Sequence, residues 1–126
     1  MNLSEFNAHY EDLSGYVDVE SGLSRLQNNK VLYGRLLNSF AEDTHLDELG
    51  EQLAKGDFAE AQKTAHMLKG VTANLSLPLV YELSARISGG LKAGDTDVPF
   101  EGLSQAMDKT VSSIAIVIQN LDDIEL

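Results

Sequence analysis

A chain of 126 residues with 43% hydrophobic residues is long enough to bury a sizeable core and too apolar to be disordered. Its net charge of −11 argues against binding to nucleic acid or to an anionic membrane, and the absence of cysteine excludes disulfides and thiolate metal sites. The start lacks a basic segment followed by an apolar one, and the longest apolar run is far too short to cross a bilayer, so we expect one domain over 1–126 in the cytoplasm.

The spacing of apolar residues predicts helices throughout the chain and no strand. An acidic turn at 18–20 begins a short helix that reaches about Leu26, and a longer helix follows from Lys30. The next helix ends at Lys55-Gly56, where glycine is a frequent terminating residue. Asp57, a residue type that often caps helix N-termini, then begins the helix with the most informative sequence.

That helix presents apolar or small residues in alternating steps of three and four, which is the spacing of a bundle seam. The seam positions are Phe58, Ala61, Ala65, Leu68, Thr72 and Leu75. Pro78 is well placed as the first residue of the following helix, and a last helix runs from about Phe100. The sequence therefore predicts an all-α fold, an antiparallel (up-down-up-down) four-helix bundle with one or two short N-terminal helices.

The segment Ala65-His66-Met67-Leu68-Lys69-Gly70 contains an unusual combination beside this seam. His66, Lys69 and Gly70 are three and four residues apart, so they should share one helix face. A glycine inside a helix costs ~1 kcal/mol relative to alanine and needs a reason. An imidazole with a cation on one side and open space on the other could hold a phosphate or allow a second protein to approach closely.

Charge is distributed unevenly along the chain. Residues 62–92 carry a net charge of +3, whereas 1–61 carry −8 and 93–126 carry −6. The only basic window thus contains the histidine segment, which suits a negatively charged ligand or partner. Ordinary solvated lysine and arginine side chains would explain the same window equally well.

At this point the sequence resembles the histidine-containing phosphotransfer (HPt) domain of bacterial two-component phosphorelays. The family's signature Ala-His-x-Leu-Lys-Gly is present at 65–70, and the run formed by Gly22-Leu23, Tyr33, Leu36-Leu37 and Phe40 is similar to its upstream pattern. Two positions depart from the family. Ser76 stands where a glycine is usual, and Ser88 stands where a glutamate or glutamine on the facing helix is frequent.

The resemblance implies that several residues have defined roles in phosphoryl transfer. His66 would accept a phosphoryl group from the aspartyl phosphate of a receiver domain and pass it to another receiver. Lys69 would stabilise the phosphoryl oxygens, and Gly70 would keep the approach sterically open. Supporting positions are Gln62, Ala73 and Ser88, and the docking surface is expected at Lys63, Met67 and Val71.

The same resemblance implies a stoichiometric phosphocarrier, not an enzyme, although a kinase label would apply if the chain is a fragment of a hybrid sensor kinase. No nucleotide-binding loop and no acidic trio beside His66 is evident in the sequence. We therefore expect no metal site and no cofactor of its own, with Mg²⁺ on the partner receiver. The expected partners are response-regulator receiver domains, with no nucleic acid, no membrane contact by this segment, and a monomeric state.

Two other classes of function stay open from the residues alone. The chain could be a helical protein-interaction module that docks a partner without phosphotransfer. It could also be a metal-binding four-helix bundle, because Glu42 and His45 have the spacing of one half of a di-iron motif; a second copy of that motif is missing from the sequence.

Overall fold

The helical periodicity of the sequence becomes seven α-helices in a computed structural model that describes residues 1–126. Two short 3₁₀ segments, Glu11–Gly15 and Leu121–Asp123, supplement them, and the only strand-like pairing is a single bridge between Asn2 and Glu125. The prediction of an all-α chain is confirmed. None of the helices is long and apolar enough to cross a membrane. The helices are α1 Leu3–His9, α2 Val19–Arg25, α3 Lys30–Glu42, α4 Leu46–Ala54, α5 Phe58–Asn74, α6 Pro78–Lys92 and α7 Phe100–Asn120.

Local capping chemistry explains several of these boundaries. The side chains of Asn2, Asp18 and Asn29 each accept a hydrogen bond from a backbone N–H in the first turn of α1, α2 and α3. Pro78 is the first residue of α6, as predicted. Asp57 lies at the N-cap position of α5, as predicted, but its side chain makes no capping hydrogen bond. The prediction is therefore right about the helix start and wrong about the side-chain cap.

Neighbouring long helices run in opposite directions. Gln62, near the start of α5, donates a hydrogen bond to Ser88, near the end of α6. Lys30, the first residue of α3, donates from Nζ to the carbonyl oxygens of Asp122 and Ile124, just beyond α7. Helix α6 also packs on α7, and α7 packs on α3. Going around the molecule, the long helices therefore contact one another in the order α5, α6, α7 and α3.

One continuous hydrophobic core lies between these helices and also includes Phe6 of α1 and Leu23 of α2. Five of the predicted seam positions of α5 are buried in or against it, and they are Ala61, Ala65, Leu68, Thr72 and Leu75. Phe58 is the exception, with 37% of its surface exposed. As the first residue of α5, it lies over the turn at Gly56 rather than between helices.

The end of α5 is fixed by an unusual backbone conformation at Ser76. Its φ angle is +57°, in the left-handed region that favours glycine. The Ser76 hydroxyl donates to Oγ of Ser21 at 2.9 Å, and the Ser76 carbonyl oxygen accepts from the N–H of Asp18 at 2.9 Å. Ser76 therefore occupies a strained backbone position that ties α2 to the end of α5.

Candidate functional site

His66 lies on a face of α5 that points away from the core. Ala65 and Leu68 are almost completely buried on the inner face, which leaves His66 on the outer face of the same turn. The His66 side chain is exposed and makes no hydrogen bond with the protein. Its imidazole is therefore free to react with, or bind to, a group that arrives from outside.

A shallow cleft between α5 and α6 surrounds this imidazole. Helix α5 contributes four residues that recur along one of its faces, and α6 contributes four from the face opposite. The lining residues are Gln62, Lys63, His66 and Lys69 from α5, and Ala85, Ser88, Gly89 and Lys92 from α6. The structure thus brings together four residues that were predicted for the transfer site, His66, Lys69, Gln62 and Ser88, and adds Lys63, which was predicted for the docking surface.

Three lysines give this cleft its positive charge, but they differ in availability. Lys63 forms an ion pair with Glu60 at 3.2 Å, one turn earlier on α5. Neither Lys69 nor Lys92 is engaged in an ion pair. Two ammonium groups on facing helices are therefore free to bind an anion beside His66.

A hydrogen bond joins the two walls of the cleft. Nε2 of Gln62 on α5 donates to Oγ of Ser88 on α6 at 3.3 Å. Ser88 is almost buried, with 5% of its surface exposed, whereas Gln62 is half-buried at the cleft surface. The Gln62 amide is thus held in place one helical turn before His66.

Gly70 faces open space. A Cβ atom built at Gly70 would meet no atom within 4 Å outside its own helical turn, so packing within this chain does not require a glycine there. The same is true of Gly89, which lies in the cleft on α6. Glycine at each position destabilises the helix by ~1 kcal/mol relative to alanine. In return, the surface on each side of His66 stays free of side chains.

An apolar groove lies on the other side of α5, between it and α3. Met67 and Val71 line it from α5, and Leu36 and Phe40 line it from α3. Met67 is 38% exposed and Val71 is 36% exposed, so these side chains offer apolar area to solvent on a face of α5 different from that of His66.

Ala73 does not lie in the His66 cleft. It lines a different cleft at the end of α5, which is shared with Ser21 and Arg25 of α2 and with Tyr81 of α6. Conversely, Lys92 and Gly89 belong to the His66 cleft although sequence reasoning gave them no role. The signals were present, since Lys92 falls in the basic window and Gly89, like Gly70, is a glycine inside a helix.

The half-motif for a di-iron site is not assembled. Oε1 of Glu42 accepts a hydrogen bond from Asn38 at 3.1 Å, and Nδ1 of His45 lies 3.1 Å from a Glu48 carboxylate oxygen. No group of three or more histidine, cysteine, aspartate or glutamate side chains is arranged to hold a metal ion.

Comparison with known proteins gives one match. A family model described as "Hpt domain" matches residues 35–123, which extend from α3 to the C-terminal 3₁₀ segment and contain the entire His66 cleft. No curated protein and no solved structure matches the chain significantly.

Proposed function

The chain belongs to the Hpt domain family, whose members are phosphocarrier modules of phosphorelays and interact with receiver domains, and we propose that this chain carries its phosphoryl group on His66. The observation that carries the proposal is the exposed His66 imidazole in a cleft with two unpaired ammonium groups, Lys69 and Lys92. A neutral imidazole is a competent nucleophile, and phosphoryl transfer depends mainly on positioning and charge stabilisation.

The proposed step is an in-line displacement at phosphorus. A lone pair of a His66 ring nitrogen forms the new N–P bond while the O–P bond of the receiver's aspartyl phosphate breaks. The aspartate leaves as a carboxylate, and the phosphoryl group remains on the imidazole. Transfer to a second receiver is the reverse step on a different aspartate. The ammonium group of Lys69 offsets negative charge on the phosphoryl oxygens in both directions.

Access to His66 supports a protein donor of substantial size. Gly70 and Gly89 keep both sides of the imidazole free of side chains, so a receiver can place its aspartyl phosphate against the ring. Met67 and Val71 provide exposed apolar area for docking, and Lys63 adds positive charge at the rim. A receiver site rich in carboxylates would be attracted to this basic window.

We propose that the Mg²⁺ needed for transfer is bound by the receiver and that this chain contributes no cofactor. We also infer that α3, α5, α6 and α7 form an up-down-up-down four-helix bundle, because their contacts alternate in direction. On this proposal the chain acts as a monomeric domain in the cytoplasm, either free-standing or as part of a hybrid sensor kinase.

Transfer from a labelled receiver tests the proposal. The chain is incubated with receiver domains that have been phosphorylated with ³²P-labelled acetyl phosphate, and the label is examined for the acid lability and alkali stability of phosphohistidine. We expect label on the wild-type chain and none on His66→Ala. His9→Ala is the matched control, because His9 is an exposed helical histidine outside the cleft and should leave labelling unchanged.

Two results would contradict the proposal. Label that persists in His66→Ala would place the phosphoryl group elsewhere. A wild-type chain that binds a phosphorylated receiver but takes up no label would instead favour the alternative function, a helical interaction module without phosphotransfer.

A further inference from the structure

The contact between Gln62 and Ser88 is the only hydrogen bond between side chains of α5 and α6 in the His66 cleft. Resting on the proposed role of His66, we propose that Gln62, held by Ser88, is the positioning residue that selects the reactive tautomer of the His66 imidazole. The inference concerns residues of this chain alone and needs no contact from the receiver.

The Gln62 amide is held at a defined position in the cleft. Gln62 and His66 are four residues apart on α5, so their side chains are neighbours on one helix face, and both line the cleft. An isolated glutamine at such a place would sample several rotamers. The hydrogen bond to Ser88 restricts them, because Ser88 is itself almost buried and lies on a different helix.

The polarity of that amide leaves its oxygen available to the His66 ring. Because the NH₂ group of Gln62 donates to Ser88 Oγ, the Oε1 atom is free of protein partners. A neutral imidazole has one N–H donor and one nitrogen with a lone pair. An acceptor fixed beside the ring favours the tautomer that turns its N–H toward that acceptor. The other ring nitrogen then presents its lone pair to the incoming phosphorus.

The same hydrogen bond determines where the ring proton stays during transfer. The ring proton stays on the nitrogen that faces Gln62, while the lone pair of the other nitrogen forms the N–P bond and the receiver's carboxylate leaves. Gln62 stabilises the positive charge that develops on the ring through the same hydrogen bond. The exposed His66 ring has no hydrogen bond in the structure, so the ring makes this contact by rotating toward Oε1 of Gln62.

Nitrogen-15 NMR of the His66 ring measures the tautomer directly and does not depend on phosphotransfer. The measurement is made on the unphosphorylated chain at about pH 8.5, where imidazole is neutral in water. We expect one dominant tautomer in the wild type and a mixed population in Gln62→Met, which keeps the length of the side chain but removes the amide. Gln105→Met, an exposed glutamine on α7 far from the cleft, is the control.

The rate of transfer from a ³²P-labelled receiver gives the second readout. We expect Gln62→Met to slow labelling roughly three- to tenfold, which corresponds to the loss of one neutral hydrogen bond. Ser88→Ala should slow it less, and the double variant should be no slower than Gln62→Met, because Ser88 acts through Gln62. Ser113→Ala is the control for Ser88, since Ser113 is equally buried but bonds only to its own helix.

Gln62→Glu separates orientation of the ring from contact with the phosphoryl group. A glutamate still accepts from the imidazole N–H, so we expect it to retain the dominant tautomer. An unchanged tautomer in Gln62→Met would overturn the inference, as would additive rate effects of Gln62→Met and Ser88→Ala. If His66 takes up no phosphate in any variant, the proposed function fails, while the tautomer populations still decide whether Gln62 positions the ring.

Discussion

The hydroxyl group of Tyr33 donates a hydrogen bond to the carbonyl oxygen of Leu75 at 2.8 Å, in the buried space where α3 passes the end of α5. Leu75 directly follows the last residue of the histidine helix, so its carbonyl oxygen would otherwise lack a partner. Burial raises the pKa of Tyr33 well above its ordinary value, and the nearby Asp18 carboxylate raises it further. The phenol is therefore held in its neutral, donating form.

Removal of this hydroxyl in Tyr33→Phe should lower the free energy of unfolding by about 1–3 kcal/mol, because a buried carbonyl oxygen is left without a donor. Denaturation with urea measures the change. Tyr81→Phe, on the partly exposed surface of α6, is the control and should stay within about 0.5 kcal/mol of the wild type.

The same tyrosine predicts a loss of stability in alkali. Since its pKa is higher in the folded chain than in the unfolded chain, the folded state retains a proton that the unfolded state loses above about pH 10. The free energy of unfolding should therefore fall as the pH rises beyond that point, and it should fall less steeply in Tyr33→Phe. Equal slopes for the two proteins would contradict a buried, neutral Tyr33.

Gly22 should tolerate no side chain, because a Cβ atom built there overlaps the ring of Tyr33. We expect Gly22→Ala to destabilise the fold by about 1–3 kcal/mol through overpacking, despite the better helix propensity of alanine. Gly89→Ala has open space at the same kind of helical position and should be stabilised by up to ~1 kcal/mol. Thermal melts of the two variants should therefore shift in opposite directions.

Strain at Ser76 can be measured with two substitutions. Ser76→Gly and Ser76→Ala both lose the hydrogen bond to Ser21, but only glycine relieves the left-handed backbone. The glycine variant should be more stable than the alanine variant by about 1 kcal/mol in urea denaturation. If the two variants unfold together, the positive φ angle carries no strain.

Bulk at Gly70 should block docking without damage to the fold. Gly70→Leu places a side chain in open space, so the helix should be as stable as the wild type or more so. Transfer from a phosphorylated receiver should nevertheless be lost, while phosphoramidate, a small donor that needs no docking, should still phosphorylate His66. Normal transfer from the receiver would refute the access argument.

Lys69 and Lys92 should each accelerate transfer through their charge. Lys69→Ala and Lys92→Ala should each slow labelling by a receiver roughly three- to tenfold, a range that allows for solvent screening of exposed ammonium groups. Lys109→Ala, which removes an exposed lysine of α7 outside the cleft, should leave the rate unchanged. An unaffected rate in Lys69→Ala would remove its proposed role.

The sequence predicted the helices well because their signals are local. Periodicity and the preference of proline for the first helical position act within a few residues, and the structure agrees with both. Of the site, the residues on α5 could be grouped because spacing along a single helix defines one face. Lys92 and Gly89 could not be placed beside His66 without the register between α5 and α6, which tertiary packing determines. Ala73 was grouped by the same single-helix rule, yet the end of α5 turns it toward α2.

The unequal distribution of charge has a consequence for how encounters begin. The chain carries a net charge of −11, so a negatively charged partner that approaches it at random meets a repulsive long-range field. The lysine-lined cleft offers a locally attractive path. The long-range field thus disfavours collisions in unproductive orientations before the two proteins touch. Added salt would weaken this selection of orientations together with the attraction to the cleft.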